Sequence, residues 1–132
     1  MRLIPKVELI GIDKEAMKKD DSFPSAYKLP FKLSEVPTNE WTRIFEHVYM
    51  GELYSMKRRA YIEGANIILI VADSDDFLTH ADFIKRVVEQ TNKEADRIND
   101  SIRAQMEREK EQRQEEQETI TKLKKEVDKI KF

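Results

Sequence analysis

The strongest constraint on the fold is the stretch from Asp76 to Phe132, which contains no proline and no glycine. Its apolar residues recur in a seven-residue frame with companion positions three or four residues away, which predicts one continuous helix. The residues of this frame are Phe77, Ala81, Ile84, Val88, Ala95, Ile102, Met106, Ile120, Leu123, Val127 and Ile130. At ~1.5 Å per residue the helix would be roughly 85 Å long, far beyond the ~13 Å radius of gyration of a 100-residue domain, so we expect its second half to leave the globular domain.

Two strand-like segments precede the first predicted helix. Val7–Ile12 is short, rich in branched apolar residues and apolar on both faces, which predicts a central strand. The second segment alternates apolar residues with lysine or proline, and its apolar members are Tyr27, Leu29, Phe31 and Leu33. Because Pro30 cannot donate a hydrogen bond to a neighbouring strand, this second strand is predicted at a sheet edge.

A helix and a second pair of strands follow. Ser34–Asn39 has the caps and early proline of a helix start, and Gly51 is placed to end that helix in the left-handed conformation. The apolar face of this helix consists of Trp41, Ile44, Phe45 and Val48. Arg59–Glu63 and Asn66–Val71 flank a Gly-Ala pair, which predicts a hairpin whose second strand is the most buried element.

The predicted element order is therefore β-β-α-β-β-α. This order favours an α+β fold with a mostly antiparallel four-stranded sheet and the helices on one face, because two hairpins are each followed by a helix. The long C-terminal helix extends from it as a coiled-coil-like arm. The predicted division is a globular domain of residues 1–95 and a charged helical arm of residues 96–132, continuous with the last helix of the domain.

The arm holds much of the charge of the chain. Charged residues make up 38% of the sequence, against about 25% in a typical domain, and the arm carries ten acidic and ten basic residues. Opposite charges three or four residues apart stabilise a helix without any partner. The predicted pairs are Asp100–Arg103, Glu107–Lys110, Glu109–Arg113, Glu118–Lys122 and Glu126–Lys129. A solvated single helix is thus one interpretation, and it is strongest where Glu109, Arg113 and Glu116 occupy the apolar frame.

The apolar residues of the arm indicate a partner instead. Four of them recur at spacings of three, four and three, and they would form a stripe exposed to water if the helix stood alone. The predicted interface residues are Ile102, Met106, Ile120, Leu123, Val127 and Ile130. A second copy, most simply in a dimer, is the favoured partner, and a helical segment of another protein is the alternative. We therefore hypothesise a non-enzymatic protein-protein interaction or assembly module that self-associates through its C-terminal helix.

A small regulatory nucleic-acid-associated protein is the alternative function. Between Tyr54 and Tyr61 lies a basic run that combines positive charge with aromatic surface, as in proteins that contact single-stranded nucleic acid. The run consists of Lys57, Arg58 and Arg59, and the arm ends in a second basic segment, Lys122 to Lys131. The net charge of −2 and the pI near 5.8 provide no overall attraction for nucleic acid.

A metal-dependent small enzyme is the third hypothesis. Asp73, Asp75 and Asp76 follow a buried strand, in the manner of carboxylates that hold Mg²⁺, but helix capping explains the same residues without a cofactor. His47 and His80 lack the spacing of metal ligands and are expected on the surface. No catalytic residue and no cofactor is predicted.

Several other classes have no support in the sequence. Without cysteine the chain has no disulfide, no thiol nucleophile and no thiolate metal site, and no serine lies in a Gly-x-Ser-x-Gly motif. The N-terminus lacks the apolar segment of a signal peptide. The longest apolar run, Ile67–Ala72, is far short of the ~20 residues that span a bilayer. A cytoplasmic protein without membrane association is expected.

Overall fold

The computed structural model describes residues 2–52 and 58–132. It confirms an α+β fold with an antiparallel sheet, a first helix and a long C-terminal helix. The elements are β1 (Leu9–Ile12), a 3-10 turn (Lys14–Ala16), β2 (Lys18–Lys19), β3 (Ala26–Leu33), α1 (Asn39–Gly51), β4 (Ala60–Glu63), β5 (Asn66–Ala72) and α2 (Phe77–Val127). Strand β2 has no counterpart in the prediction, because two adjacent lysines carry no apolar alternation.

Strand β3 lies inside the sheet, whose order is β1-β3-β5-β4 with β2 also pairing to β3. The prediction that Pro30 places this strand at an edge is therefore wrong. Strand β1 pairs with residues 31–33 of β3, and β2 pairs with Tyr27 and Lys28 of the same strand. Pro30 therefore lies in the break between β1 and β2. The carbonyl of Pro30 accepts a hydrogen bond from the Asp13 N–H at 3.0 Å. Because the N–H and C=O of a strand residue point to the same side, the missing donor also faces this break and costs no strand-to-strand bond.

Strand β1 is an edge strand, so the prediction of a central position for this segment is wrong as well. Its register with β3 shifts between Leu9 and Gly11, which inserts one extra residue there. That residue, Ile10, is 64% exposed, and Ile12 is also exposed. The apolar side chains on both faces of this segment therefore result from a bulge and not from burial on two sides.

Both helices pack on one face of the sheet, as predicted. The sheet contributes alternate residues of β3 and β5 to this core, namely Leu29, Phe31, Leu33, Ile67, Leu69 and Val71. Helix α1 adds Trp41, Phe45 and Tyr49, whose rings stack in series at centroid distances of 5.8 and 5.9 Å. Helix α2 adds Phe83, Ile84, Val87 and Val88. Strand β5 is buried from Ile67 to Ala72, which confirms it as the most buried strand.

The predicted hairpin between β4 and β5 is confirmed. The two strands pair from Glu63 and Asn66 outward, so only Gly64 and Ala65 form the loop. Gly64 has a φ of 59°, a left-handed conformation that a two-residue hairpin loop requires at its first position.

Helix α1 begins as predicted but ends differently. The Thr38 side chain accepts a hydrogen bond from the Trp41 N–H at 3.2 Å, which caps the first turn. Gly51 remains inside the helix and does not adopt a positive φ, so the left-handed helix end predicted there is wrong. The chain leaves the helix through Glu52 in an extended conformation.

Helix α2 runs from Phe77 to Val127, which confirms the long C-terminal helix, although it ends before Phe132. The chain divides into two compact units, one of residues 4–97 and one of residues 98–132 with the residues before Ile4. We call the first unit the body. It contains the whole sheet, α1 and the first turns of α2.

A buried amide ties the N-terminal segment of the body to α2. Asn92 Oδ1 accepts hydrogen bonds from the Val7 N–H at 3.2 Å and from Trp41 Nε1 at 2.9 Å. Its Nδ2 donates to the Val7 carbonyl at 2.7 Å. All three residues are buried, so this side chain satisfies polar groups that have no access to water.

Replacing Asn92 with alanine is expected to lower the free energy of unfolding by about 2 kcal/mol, because it leaves the Val7 amide and the Trp41 indole N–H buried without partners. Urea unfolding followed by the fluorescence of Trp41, the single tryptophan, measures this change. The exposed neighbour provides the matched control, since Lys93→Ala should change stability by less than about 0.5 kcal/mol. Equal effects of the two substitutions would contradict the structural role of the amide.

Candidate functional site

The arm exposes apolar residues of the predicted interface. Ile120, Leu123 and Val127 are 46%, 56% and 60% exposed on the last turns of α2. Ile130 is exposed too, although it lies beyond the end of the helix. We call these four residues the apolar stripe. An exposed apolar stripe at helical spacing is the geometry of one half of a helix pair.

The two remaining predicted interface residues lie earlier on α2. Met106 is about half exposed, and Ile102 is partly exposed. The positions of the same frame between them and the stripe are charged and exposed, namely Glu109, Arg113 and Glu116. The frame is therefore apolar at both ends and charged in the middle.

Some of the predicted charge pairs form along the arm. Asp100 with Arg103, and Glu126 with Lys129, each form an ion pair of 3.3 Å. Glu109 accepts a hydrogen bond from Gln105 at 3.3 Å, which is not the predicted pairing with Arg113. The ion pairs are largely exposed, and such pairs contribute at most about 0.5 kcal/mol each. They stabilise the helix slightly and do not cover the apolar stripe.

A buried charged cluster lies where β5 ends and α2 begins. The Asp75 side chain is 3% exposed, and Nε and Nη2 of Arg58 donate to its two oxygens at 2.8 and 2.7 Å. Asp75 also accepts from the Ala72 N–H at 3.0 Å, and His80 Nε2 lies 3.0 Å from the same oxygen. We call Arg58, Asp75 and His80 the Asp75 cluster. The prediction of a surface histidine is wrong for His80, which is 2% exposed, whereas His47 is exposed.

The contacts of the Asp75 cluster indicate a structural role. Hydrogen bonds from Arg58, and secondarily from Ala72 and His80, hold the pKa of Asp75 well below its usual range although burial acts in the opposite direction. The Tyr49 hydroxyl donates to the Arg58 carbonyl, and the Arg58 guanidinium lies 5.6 Å from the centre of the Phe23 ring. A carboxylate that stays ionised and has both oxygens bonded is a poor proton donor and a poor ligand. The cluster instead joins the chain before β4 to the start of α2.

The nucleic-acid candidates occupy different environments. Arg58 is engaged by Asp75, whereas the guanidinium of Arg59 lies 5.4 Å from the centre of the Tyr61 ring. Tyr61 packs with Ile68 and Ile70 in a small second cluster, away from the main core. Lys57 and Tyr54 lie outside the described residues. Among the described members of this run, Arg59 and Tyr61 keep the combination of charge and aromatic ring.

The metal candidates have local partners. Asp76 caps α2, because its Oδ1 accepts from the N–H groups of Leu78 and Thr79 at 3.1 and 3.3 Å. Its Oδ2 accepts from the Thr79 hydroxyl at 2.8 Å, and these bonds lower the pKa of Asp76. Asp75 belongs to its own cluster, and Asp73 is exposed. Within residues 2–52 and 58–132, no group of three or more acidic or histidine side chains is arranged to hold a metal ion.

The body also has an open groove between the edge strand β1 and α2. Its volume is about 680 Å³, and its apolar lining includes Leu9, Ile12 and Val88. Charged side chains of both signs line it as well, among them Lys85 and Glu89. The groove therefore favours no class of ligand by charge.

Comparisons of the chain with protein-family models, with curated proteins and with solved structures find no match. Across the part of the chain that the structure describes, every helix is too short or too polar to cross a membrane. A functional proposal therefore depends on the surfaces described above.

Proposed function

We propose that this protein is a non-enzymatic assembly module of the cytoplasm that self-associates through its C-terminal helix, most simply as a dimer. The observation that carries the proposal is the apolar stripe, whose residues are about half exposed along and just beyond the last turns of a mostly charged helix. Covering the stripe with the arm of a second copy removes apolar surface from water and leaves the charged faces solvated.

The stripe alone provides limited binding energy. Full burial of a leucine, isoleucine or valine side chain contributes about 1.5–3 kcal/mol, so the eight half-covered side chains of two stripes contribute about 6–12 kcal/mol. The loss of translational and rotational freedom on association costs about 4–15 kcal/mol. A stable dimer therefore needs additional contacts along the arm.

Three alternatives to self-association depend on different observations. A helical segment of another protein can cover the same stripe in place of a second copy. The guanidinium of Arg59, which lies beside the Tyr61 ring, favours a small regulatory nucleic-acid-associated protein. A cation beside an aromatic ring can contact a phosphate and a base together. The ion pair with Asp75 weakens that alternative, since it engages Arg58. The metal-dependent enzyme is the least supported of the three hypotheses, because the aspartates proposed for it cap a helix or bind an arginine.

The substitution Leu123→Glu tests the assembly proposal. It places a carboxylate in the centre of the apolar stripe, and we expect the dissociation constant of the dimer to rise at least about 100-fold, because each tenfold change needs only about 1.4 kcal/mol. The matched control is Thr121→Glu, which adds the same charge about 200° away around the helix. Light scattering on size-separated full-length protein measures the mass of each variant, beside a version that ends at Ala104.

The results of these measurements distinguish a second copy from the other possible partners. A dimer that becomes a monomer in Leu123→Glu and stays a dimer in Thr121→Glu supports assembly through the stripe. A full-length monomer would overturn self-association, and an oligomer that survives both Leu123→Glu and the truncation would place the interface elsewhere. A shift on random nucleic acid that weakens as salt increases would favour the alternative function.

A further inference from the structure

The order of apolar and charged residues along the arm favours one direction of pairing between two copies. Its frame is apolar at Ile102 and Met106, charged at the middle positions, and apolar again from Ile120 onward. We propose that two copies of this chain pair antiparallel about a two-fold axis between Gln114 and Glu115. This inference rests on the proposed self-association and adds its geometry.

The axis brings the two apolar ends of the frame together. Ile102 and Val127 lie equally far from the axis in sequence, so each Ile102 faces Val127 of the other copy. Met106 and Leu123 are likewise equidistant and face each other. Four apolar layers result, two at each end of the paired region, and they include the contacts beyond the stripe that a stable dimer needs.

The same axis pairs opposite charges in the middle. Arg113 and Glu116 are equidistant from it, so each arginine faces the glutamate of the other copy, twice in the dimer. Oppositely charged residues at such positions attract, and an Arg–carboxylate pair gains from the planar geometry of the guanidinium. In this register Glu109 faces Ile120, which is the one mismatched layer on each side of the axis.

A parallel in-register pair would gain apolar contact but would place like charges together. Within α2 it would align five apolar layers, one more than the antiparallel pair. However, every residue would face the same residue of the other copy, so three successive layers would hold like charges, at Glu109, Arg113 and Glu116. Like charges brought together away from bulk water repel strongly. The antiparallel arrangement has like charges only at its flank, where Arg103 approaches Lys124, and Arg103 already pairs with Asp100 at 3.3 Å.

A two-fold axis also closes the assembly. Each copy presents the same surface to the other, so Ile102, Met106, Leu123 and Val127 of both copies are covered within one closed pair. A limited dimer and not a growing filament is the expected product.

Distances between spin labels test the direction of pairing on the full-length chain. The chain has no cysteine, so one introduced cysteine carries one label. In the antiparallel dimer of Val127→Cys, each label lies level with Ile102 of the other copy, and a rise of ~1.5 Å per residue predicts a label separation of roughly 38 Å. A parallel dimer holds the same labels within about 15 Å, since paired helix axes lie only ~8–10 Å apart. Lys125→Cys, on the outer face, is the control for disturbance by the label, with roughly 32 Å or more expected.

Charge exchange provides a second measurement that needs no label. Arg113→Glu should weaken the antiparallel dimer at least about tenfold, and adding Glu116→Arg to the same chain should restore it. In a parallel dimer neither step converts a like-charge layer into an attractive one, so no restoration follows.

The outcomes distinguish this inference from the proposed function. A dimer by light scattering with a long Val127→Cys separation and restoration by charge exchange supports antiparallel pairing. A dimer with a short separation overturns the direction and leaves self-association intact. A monomer at every concentration overturns both.

Discussion

Replacing Asp75 with alanine is expected to lower the free energy of unfolding by about 2–4 kcal/mol. The substitution removes both hydrogen bonds from Arg58, the bond from the Ala72 N–H and the contact with buried His80. Removing one partner of a buried pair leaves the other charge without compensation. The Arg58 side chain is 31% exposed and gains water in the variant, which moderates the loss. Chemical denaturation at pH 7 measures the change, and Asp73→Ala is the control with an exposed carboxylate.

The effect of Asp75→Ala is expected to depend on pH. The folded-state pKa of Asp75 lies below its unfolded value of about 3.9, so the ionised carboxylate stabilises the fold above that value. This contribution is lost as the pH falls through 3.9 toward the lower folded-state pKa. The difference in stability between the wild type and Asp75→Ala is therefore expected to shrink as the pH falls below about 5. A difference that stayed the same from pH 7 to pH 3 would contradict the ionised pairing.

Replacing Phe45 with alanine is expected to lower the free energy of unfolding by about 3–5 kcal/mol, more than Asp75→Ala. The Phe45 ring is fully buried between Trp41 and Tyr49, at centroid distances of 5.8 and 5.9 Å. Alanine removes the transfer energy of the ring and leaves a cavity that two large neighbours cannot close without leaving their own positions. A fall in urea midpoint with an unchanged slope would show lost stability without a changed unfolding reaction.

The control for Phe45→Ala lies one residue along the same helix. Glu46→Ala replaces an exposed side chain with the same small residue and is expected to change stability by less than about 0.5 kcal/mol. Phe45→Leu, which keeps most of the apolar volume, should cost about 1 kcal/mol. Equal losses for alanine and leucine at this position would mean that the stacked rings, and not the filled volume, carry the stability.

Periodicity alone was sufficient to predict most of the fold. The alternation from Tyr27 to Leu33 and the helical spacing from Trp41 to Val48 each report one buried face, and the core contains those faces. Strand order was harder to predict, because it depends on which backbone groups meet. Pro30 is tolerated inside the sheet since two short strands divide one side of β3, and the bulge at Ile10 imitates a strand buried on both faces.

The Asp75 cluster shows why local sequence alone does not predict a buried charged site. Asp75 follows a strand and precedes a helix, so capping explains it without any distant partner, and Arg58 lies 17 residues earlier. The signal lies in the hairpin. The two-residue loop of this hairpin pairs Glu63 with Asn66. Counting the same number of residues outward along both strands brings Arg58 to the level of the end of β5, just before Asp75. The register of a predicted turn thus contains information about distant pairs that composition does not contain.

The bond between Val7 and Asn92 also sets an order of events during synthesis. The two residues are 85 positions apart, so at ~5–20 residues per second a ribosome needs roughly 4–17 s after making Val7 before its partner exists. Throughout that interval the N-terminal segment lacks the amide that holds it, and its apolar residues are available to chaperones or to other nascent chains. The stripe is made after every residue of the body, so it also leaves the ribosome later than the body does.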